Sequence, residues 1–365
     1  MLTSDFDYDL PPDLIAQAPC AERDASRLLV LDRQTGALDD RRFAELPSLL
    51  PPGALLVLND TRVLPARLRA VKPSGGQVEV LLVRVIAGDG AGDGTAEGPT
   101  WLCLTRSSKG LRAGGTVDLP YPSPHDGVRA RVVSVGDEGA AELAFVPPPG
   151  RDPGPGWFLP WVHAVGETPL PPYIHREAGD LPDDRARYQT VYARHLGSVT
   201  APTAGLHFTE ALLEALRAAG FETAYLTLHV GPGTFRPVRA DDVGEHRMDG
   251  EWVNVPSEVV QAIARARAAG RPVVAVGTTT VRALEGAWSE AVGLQPGGRE
   301  VSLFIRPPYP FRVVDALVTN FHLPRSTLLM LVSALAGREH TLAAYRHAVA
   351  ERYRFYSYGD AMLIR

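Results

Sequence analysis

The second half of the chain alternates between short apolar runs and longer amphipathic segments. Most of these amphipathic segments begin at Ser or Thr and stop next to Gly, which is typical of helices because a hydroxyl caps the first turn and Gly ends the last. We therefore predict helices over residues 209–219, 257–269, 280–291, 326–336 and 339–353. The apolar runs predict strands over residues 222–230, 272–276, 301–305 and 313–319. This alternation favours an α/β fold built on a largely buried sheet.

The first half of the chain has a different pattern. Apolar runs at residues 27–31 and 54–58 predict two buried strands, and from residue 65 to 145 short β-rich runs are separated by clusters of Gly, Pro and Asp. Helical periodicity is absent there, so we predict an antiparallel barrel or sandwich with strands over residues 77–85, 101–105, 116–119, 129–135 and 141–145. Residues 147–187 are rich in Pro and Gly and predict a long irregular connection. We expect an inserted domain over residues 66–146 and a discontinuous α/β domain made of residues 1–65 and 147–365.

The composition is that of an ordinary globular protein. The chain has 365 residues, of which 45% are hydrophobic and 22% charged, so two domains with sizeable cores are expected. Cys20 and Cys103 lie far apart, which excludes a cysteine-built metal site and argues against a disulfide scaffold. Neither a signal peptide nor a membrane-length apolar run is visible, so we expect a soluble, cytoplasmic protein. The net charge of −5 does not exclude RNA, because binding needs only a local basic face.

Four loops combine small, polar and histidine residues next to predicted strands or helix starts. They are residues 200–209, 227–235, 277–282 and 319–325. Because a helix N-terminus offers unpaired N–H groups to carboxylates and phosphates, we expect these loops to share one pocket. Residues 59–62 (Asn-Asp-Thr-Arg) follow another predicted strand, where either a ligand contact or a plain Asx-turn fits.

Several common site motifs are missing from the sequence. It has no HExxH and no other familiar histidine spacing, so no metal site is predicted. The absence of GxGxxG, of a Walker loop and of a GxSxG elbow disfavours a Rossmann methyltransferase or dehydrogenase.

Distinctive strings in a fixed order cover nearly the whole chain. They include LVLNDTRVLPARL, APTAGLHFT, LTLHVGPGTFRPV, AVGTTTVRALE, VTNFHLPRSTLL and ERYRFYSYGDAMLIR. With these strings the chain resembles the S-adenosylmethionine:tRNA ribosyltransferase-isomerase family. The resemblance implies a hybrid α/β barrel-like main domain with an inserted small antiparallel β-barrel. It also implies a transferase that uses S-adenosylmethionine as a consumed substrate, with no metal or prosthetic group, and we expect it to work as a monomer.

The reaction that the resemblance implies moves the ribosyl part of S-adenosylmethionine onto 7-aminomethyl-7-deazaguanine at the tRNA wobble position. The products are epoxyqueuosine in tRNA, adenine and methionine. The sulfonium acidifies the adjacent ribose carbon, so a base can remove a proton there, adenine leaves and the amine of the modified base attacks. Such a scheme needs a proton acceptor, a proton donor for adenine and an anion site for the methionine carboxylate.

The resemblance locates candidate residues for these tasks on the matching motifs. His207, His229 and His322 are unranked candidates for proton transfer, and Arg282 with the backbone of residues 277–279 is the candidate carboxylate holder. The remaining candidates for the S-adenosylmethionine pocket are Asn59, Asp60, Arg62, Thr203, Gly231, Gly233, Gly277, Thr278, Thr279 and Asn320. The candidates for contact with tRNA or its wobble base are Arg23, Gln189, Tyr192, Phe208 and Arg354, although ordinary surface pairing explains the arginines equally well.

Two other functions fit parts of the sequence. One is an S-adenosylmethionine-dependent RNA methyltransferase on an unusual fold, which would release S-adenosylhomocysteine instead of adenine. The other is a non-catalytic RNA-binding protein that uses the β insert as its binding module. Several polar loops at predicted strand ends favour an enzyme over a pure binder.

Overall fold

A computed structural model describes residues 1–88, 98–119, 127–147, 156–176, 179–231, 238 and 240–365. The strands in chain order are β1 (Arg27–Leu31), β2 (Leu38–Arg42), β3 (Leu55–Asn59), β4 (Thr61–Val63), β5 (Arg67–Val71), β6 (Gln77–Ala87), β7 (Thr100–Arg106), β8 (Thr116–Leu119), β9 (Val128–Val135), β10 (Ala140–Val146), β11 (His195–Ser198), β12 (Glu222–Leu228), β13 (Glu251–Val255), β14 (Val273–Val276), β15 (Trp288–Ser289), β16 (Gly293–Leu294), β17 (Gly297–Val301), β18 (Ala316–Asn320) and β19 (Ala361–Ile364). The α-helices are α1 (Leu46–Leu49), α2 (Phe158–Val165), α3 (Asp184–Arg187), α4 (Glu210–Ala218), α5 (Ser257–Ala268), α6 (Thr278–Gly286), α7 (Thr327–Ala336) and α8 (Arg338–Ala350).

The chain divides into two compact units. The first consists of Met1–Arg62, Pro171–His175 and Arg187–Arg365, and the second of Val63–Leu170 and Arg176–Ala186. The second unit therefore extends beyond residue 146, the end predicted for the insert. The reason is α2, which packs Phe158 against Trp101 and Phe145 of the barrel. Its eight residues lie within the stretch for which we predicted an irregular connection.

The first unit is built on a nine-stranded mixed sheet with the order β17-β13-β12-β3-β14-β18-β19-β1-β2. Its core strands are buried on both faces. Leu55 and Val57 of β3 face one apolar cluster, whereas Leu56 and Leu58 face another, as the two-residue period of a strand requires. Side chains of α5 to α8 fill the first cluster and side chains of α4 fill the second. The predicted α/β class is confirmed, with the strands of this unit in an open sheet as far as the chain is described.

Four neighbouring strands of this sheet run in the same direction. The pairs β12–β3, β3–β14 and β14–β18 are all parallel. Their carboxyl ends therefore meet at one edge of the sheet, at Leu228, Asn59, Val276 and Asn320. In α/β sheets this edge is where ligands bind. It is also where the sequence places three of the four polar loops.

The second unit is a closed antiparallel barrel with the order β10-β7-β6-β5-β8-β9. Alternate residues of its strands point inward, as in β9, where Val128, Ala130 and Val132 are buried. The predicted inserted barrel is confirmed.

Two predicted elements of the first unit differ from the structure. The helix predicted over residues 280–291 starts earlier and ends at Gly286, because Trp288 and Ser289 pair with Gly293 and Leu294 in a hairpin. The strand predicted over residues 301–305 is instead β17, which pairs with β13 and ends at Val301. Within the described residues, every helix is too short or too polar to cross a lipid bilayer.

Candidate active site at the carboxyl ends of four parallel strands

A cleft of about 620 Å³, including space open to solvent, lies at this edge of the sheet. The described residues that line it are Tyr173, residues 200–204, Val230, Gly277, Thr278, Thr279, residues 319–323, Ser326, Leu328, Tyr356 and Ser357. All four polar loops contribute, so the predicted convergence into one pocket is confirmed. The reason is topological, because three of the loops follow adjacent parallel strands and the fourth, residues 200–204, follows β11.

Two helices begin at the cleft. Helix α6 starts directly after Gly277, whose φ of 91° is a conformation that few residues other than glycine adopt. Helix α7 starts at Ser326, whose side chain accepts a hydrogen bond from the N–H of Leu329. The first N–H groups of a helix have no acceptor within the helix, and the helix dipole favours negative charge there. Thr278 and Thr279 therefore present an anion site to the cleft.

His322 is the predicted proton-transfer residue that lines the cleft. Its Nε2 lies 2.9 Å from Thr319 Oγ1, and its backbone is held by the hydroxyls of Tyr8 and Tyr345. Burial lowers the pKa of His322 to about 3, so its imidazole is neutral at physiological pH. A neutral imidazole with one nitrogen bonded to a hydroxyl can accept a proton on the other.

Asn320 presents an amide oxygen to the same cleft. Its Nδ2 donates to the carbonyl of Tyr356 at 3.0 Å and to His207 Nε2 at 3.1 Å, and these two acceptors fix the orientation of the amide. Its Oδ1 is buried and has no hydrogen-bond partner among the described residues. A buried acceptor without a partner is costly, so Asn320 Oδ1 is suited to a donor group of a bound ligand.

His207 lies behind Asn320, outside the cleft lining. Because Asn320 Nδ2 can only donate, His207 Nε2 accepts, and the proton on Nδ1 is shared with Ser26 Oγ at 2.7 Å. The ring is buried and stacks on Phe43. Burial, together with the charges of Arg354 and Arg23, lowers the pKa of His207 to about 3. Both ring nitrogens of His207 thus have partners and one of them holds Asn320, whereas a proton-transfer role for His207 stays a prediction.

His229 belongs to a separate polar cluster at the ends of β3 and β12. Its Nδ1 lies 2.8 Å from Thr61 Oγ1, and its ring stacks on Trp252 at a centroid distance of 5.1 Å. Gly197 is required beside it, because a Cβ at that position would lie 2.7 Å from the imidazole. Burial, with His195 nearby, lowers the pKa of His229. Its neighbour Val230 lines the cleft, whereas the described lining does not include His229.

The predicted polar residues after β3 mostly bind other parts of the protein. Asn59 donates to the carbonyl of Leu228 and accepts from the N–H groups of Leu228 and Thr61, so it joins β3 to β12. Asp60 is buried and accepts from Thr227, and burial raises its pKa although this hydrogen bond opposes the rise. The side chain of Arg62 is exposed. The described hydrogen bonds of Asn59 are therefore structural, and its ligand contact stays a prediction.

Arg282 does not line the cleft, contrary to its predicted role as carboxylate holder. Its guanidinium forms a buried ion pair with Glu251 and donates to the carbonyl of Leu303. The other carboxylate oxygen of Glu251 accepts from the N–H of Gly231 at 3.2 Å. The pair therefore links α6 to the start of the loop after β12. Glu251 and Leu303 occupy Nη1 and Nε of Arg282, whereas its Nη2 is buried and has no hydrogen-bond partner among the described residues, so its role as carboxylate holder stays a prediction.

Two of the aromatic candidates are core residues. Phe208 is fully buried and packs edge-on against Phe43, so it cannot stack on a nucleobase as predicted. Tyr192 is buried beside Gly205, where an added Cβ would lie 2.0 Å from its hydroxyl.

The remaining candidates are distributed as follows. Thr203, Gly277, Thr278 and Thr279 line the cleft, as predicted for the donor pocket. Gln189 is half-buried and lies outside the described lining, and Gly231 has open space on its Cα. Gly233 lies outside the described residues. Arg23 and Arg354 line a second cavity.

The sequence did not single out the aromatic wall of the cleft. Tyr173 and Tyr356 stack with ring centroids 4.5 Å apart, and the Tyr173 hydroxyl bonds Ser357 Oγ. Tyr356 has a φ of 70°, which is rare for a bulky residue and is often found at functional sites. The stretch FYSYGD belongs to the matching strings, but nothing in its local pattern shows which tyrosine faces a ligand. Over the described part of the chain, no cluster of three metal-ligating side chains occurs.

The two buried histidines make stability dependent on pH. In the unfolded chain a histidine has a pKa of about 6.5, whereas burial holds the pKa values of His207 and His322 near 3. Between these values only the unfolded state binds the protons, so the free energy of unfolding falls as pH decreases from about 6.5 to 3, by about 1 kcal/mol per pH unit for each histidine. Urea unfolding at several pH values checks this. In the double variant His207→Gln/His322→Gln, the free energy of unfolding should change less steeply with pH than in the wild type. The surface variant His175→Gln is the control and should keep the wild-type slope. An equally steep slope in the double variant would contradict the prediction.

Comparisons with known proteins agree with this geometry. The family model described as queuosine biosynthesis protein matches residues 3–364. The chain is 50% identical to an S-adenosylmethionine:tRNA ribosyltransferase-isomerase from Geotalea uraniireducens, with 100% of both chains covered. It is 54% identical to one from Azoarcus sp., covering 99% of this chain and 96% of the other. The crystal structure of S-adenosylmethionine tRNA ribosyltransferase from Thermotoga maritima is 37% identical, with a TM-score of 0.52 over 99% of this chain and 100% of the other. The chain therefore belongs to the queuosine biosynthesis protein family, in which these relatives are named S-adenosylmethionine:tRNA ribosyltransferase-isomerases.

Proposed function

We propose that this enzyme transfers and isomerises the ribosyl moiety of S-adenosylmethionine onto 7-aminomethyl-7-deazaguanine at the wobble position of tRNA. The products are epoxyqueuosine in tRNA, adenine and methionine. The observation that carries the proposal is the convergence of four polar loops into one cleft that contains a neutral histidine and two helix N-termini. Family membership supplies the substrates, and the cleft supplies groups suited to each of them.

The cleft offers a separate group for each part of S-adenosylmethionine. The N–H groups of Thr278 and Thr279 at the start of α6 suit the methionine carboxylate, whereas Arg282 does not line the cleft. The stacked rings of Tyr173 and Tyr356 suit the sulfonium, because aromatic faces attract cations. Asn320 Oδ1 suits a hydroxyl of the ribose or the amino group of adenine, since both donate hydrogen bonds.

His322 is the proposed proton acceptor. Among the described residues that line the cleft, it is the imidazole that is unprotonated near neutral pH, whereas burial raises the pKa values of Tyr173 and Tyr356 and keeps their hydroxyls protonated. In the proposed reaction His322 removes a proton from the ribose carbon next to sulfur. The carbanion is stabilised by the sulfonium, and adenine departs with the electron pair of its bond to the ribosyl carbon. The amine of the modified base loses a proton and bonds to that carbon, and a ribosyl oxygen displaces methionine as the carbon–sulfur bond breaks, which forms the epoxide.

The wobble base must leave the anticodon loop to reach this cleft, as is usual for enzymes that modify a base. We propose that the enzyme works as a monomer. We also propose that the protein acts in the cytoplasm, where its tRNA substrate is found, and that it uses no prosthetic group.

The test is incubation of the protein with S-adenosylmethionine and tRNA that carries the precursor base, followed by mass analysis of the nucleosides. We expect epoxyqueuosine, adenine and methionine in equal amounts. Formation of S-adenosylhomocysteine with a methylated nucleoside would instead establish a methyltransferase. Binding of the tRNA without formation of any product would indicate a non-catalytic RNA-binding protein. The matched control substrate is tRNA with unmodified guanine at the wobble position.

A further inference from the structure

A second cavity of about 270 Å³ lies beside the cleft and is rich in arginine. Its described lining contains the three side chains Arg23, Arg187 and Arg354 and no carboxylate. The other lining residues are Pro19, Cys20, Ser26, Leu206, His207, Ser357, Tyr358 and Gly359. Three guanidinium groups that share a concave surface without an acidic residue favour a bound anion.

Hydrogen bonds within the chain hold these arginines in place. Arg23 donates to the carbonyl of Leu206 at 3.1 Å, and Arg187 donates to the carbonyl of Ala21 at 2.7 Å. Arg354 donates to Cys20 Sγ at 2.6 Å and forms an ion pair with Asp360, whose Oδ1 lies 3.5 Å from its Nη2. Bonds to carbonyls orient Arg187 without neutralising its charge, and the one carboxylate beside Arg354 does not balance the three guanidinium groups that line the cavity.

An unpaired donor on Arg187 is a second observation that favours a bound anion. Its Nε is buried and has no hydrogen-bond acceptor among the described residues. Burial lowers the pKa of Arg23, and the positive charge of Arg187 lowers it further, so the two like charges lie close together. A shared anion would satisfy the Nε donor and offset this repulsion.

The position of the cavity indicates which anion it receives. It shares Ser357 with the cleft, and His207 lies on its wall while bonding Asn320 of the cleft. The methionine carboxylate already has the N-terminus of α6 within the cleft. The other anion that must lie near the modified base is the RNA backbone, whose phosphates are typical partners of arginine forks.

We infer that Arg23, Arg187 and Arg354 form a phosphate site that binds a phosphodiester of the anticodon loop next to the wobble base. The inference rests on the proposed function. Its consequence is that the site fixes the backbone on one side of the everted nucleotide, while the cleft holds the base. Arg187 is then a tRNA-binding residue that the sequence did not indicate.

The test compares Arg187→Gln and Arg354→Gln with the control Arg346→Gln, which removes an exposed arginine of α8. We expect the KM for tRNA to rise about tenfold for each cavity variant, because one charge-assisted hydrogen bond is lost. The KM for S-adenosylmethionine should change little. The slope of log affinity for tRNA against log salt should also fall by about 0.7 per variant, as for one lost phosphate contact on a single strand.

Each other outcome overturns the inference. A raised KM for S-adenosylmethionine with an unchanged KM for tRNA would assign the cavity to the methionine carboxylate. Unchanged constants would assign the arginines to packing. If a variant does not fold, as shown by the loss of its thermal unfolding transition, the wild-type protein provides the test. Inorganic phosphate should then compete with tRNA for binding more strongly than chloride does at equal ionic strength. The Kd for tRNA, measured by equilibrium binding without turnover, should rise by the same factor as the KM, so failure of the proposed reaction is distinguishable from failure of this site.

Discussion

Replacement of His322 by glutamine should lower kcat by about two to four orders of magnitude, which is the range for loss of a general base. The KM for S-adenosylmethionine should change far less, because His322 is proposed to act on the proton and not on binding. Glutamine can keep a hydrogen bond to Thr319 Oγ1, which lies 2.9 Å from Nε2 in the wild type, but it cannot accept a proton. The measurement is single-turnover release of adenine at saturating substrates.

A second readout separates proton removal from later steps. With the wild-type protein, deuterium from the solvent should enter the ribose carbon next to sulfur, whereas His322→Gln should suppress this exchange. The control His347→Gln, on α8 and bonded to Asp40, should retain full turnover. If His229→Gln abolishes the exchange while His322→Gln keeps it, the base belongs to the His229 cluster and the assignment made here is wrong.

Removal of one partner from the buried Arg282–Glu251 pair should lower the free energy of unfolding by about 3–5 kcal/mol, because an uncompensated charge remains in the core. The side chains of both residues are almost fully buried, with 3% and 4% of their surface exposed. Arg282→Met and Glu251→Gln should each show this loss in urea unfolding. The double variant should recover most of the stability, because it leaves no buried charge.

The control for this experiment is Arg265→Met, which removes the same type of side chain from an exposed ion pair with Glu222. We expect a small effect, since solvent already screens exposed pairs. Single variants of Arg282 or Glu251 as stable as this control would show that the pair is not buried in solution. The variant Glu251→Gln keeps an oxygen that can accept the hydrogen bond from the N–H of Gly231, whereas Glu251→Ala does not. At a temperature where both variants are folded, Glu251→Gln should therefore bind S-adenosylmethionine more tightly than Glu251→Ala.

Local sequence patterns were sufficient for the fold class and for the place of the site. Buried strands such as β3 and β18 appear as short apolar runs, and the polar residues after them mark the strand ends. Since parallel strands end at the same edge of a sheet, the sequence alone could predict the convergence of the three loops that follow β12, β14 and β18. The barrel was predictable for a similar reason, because its strands alternate and lack helical periodicity.

Only the tertiary structure decided what each side chain of these loops contacts. His207 and His322 occur in similar local contexts, but His207 meets Ser26, 181 positions away, and Asn320, 113 positions away, whereas His322 faces the cleft. Arg282 meets a carboxylate 31 positions away, and Phe208 rests on Phe43 in the core. Hydrogen-bond partners and burial depend on packing between distant segments. The sequence therefore determined where the site lies, and the fold determined which of its residues can reach a substrate.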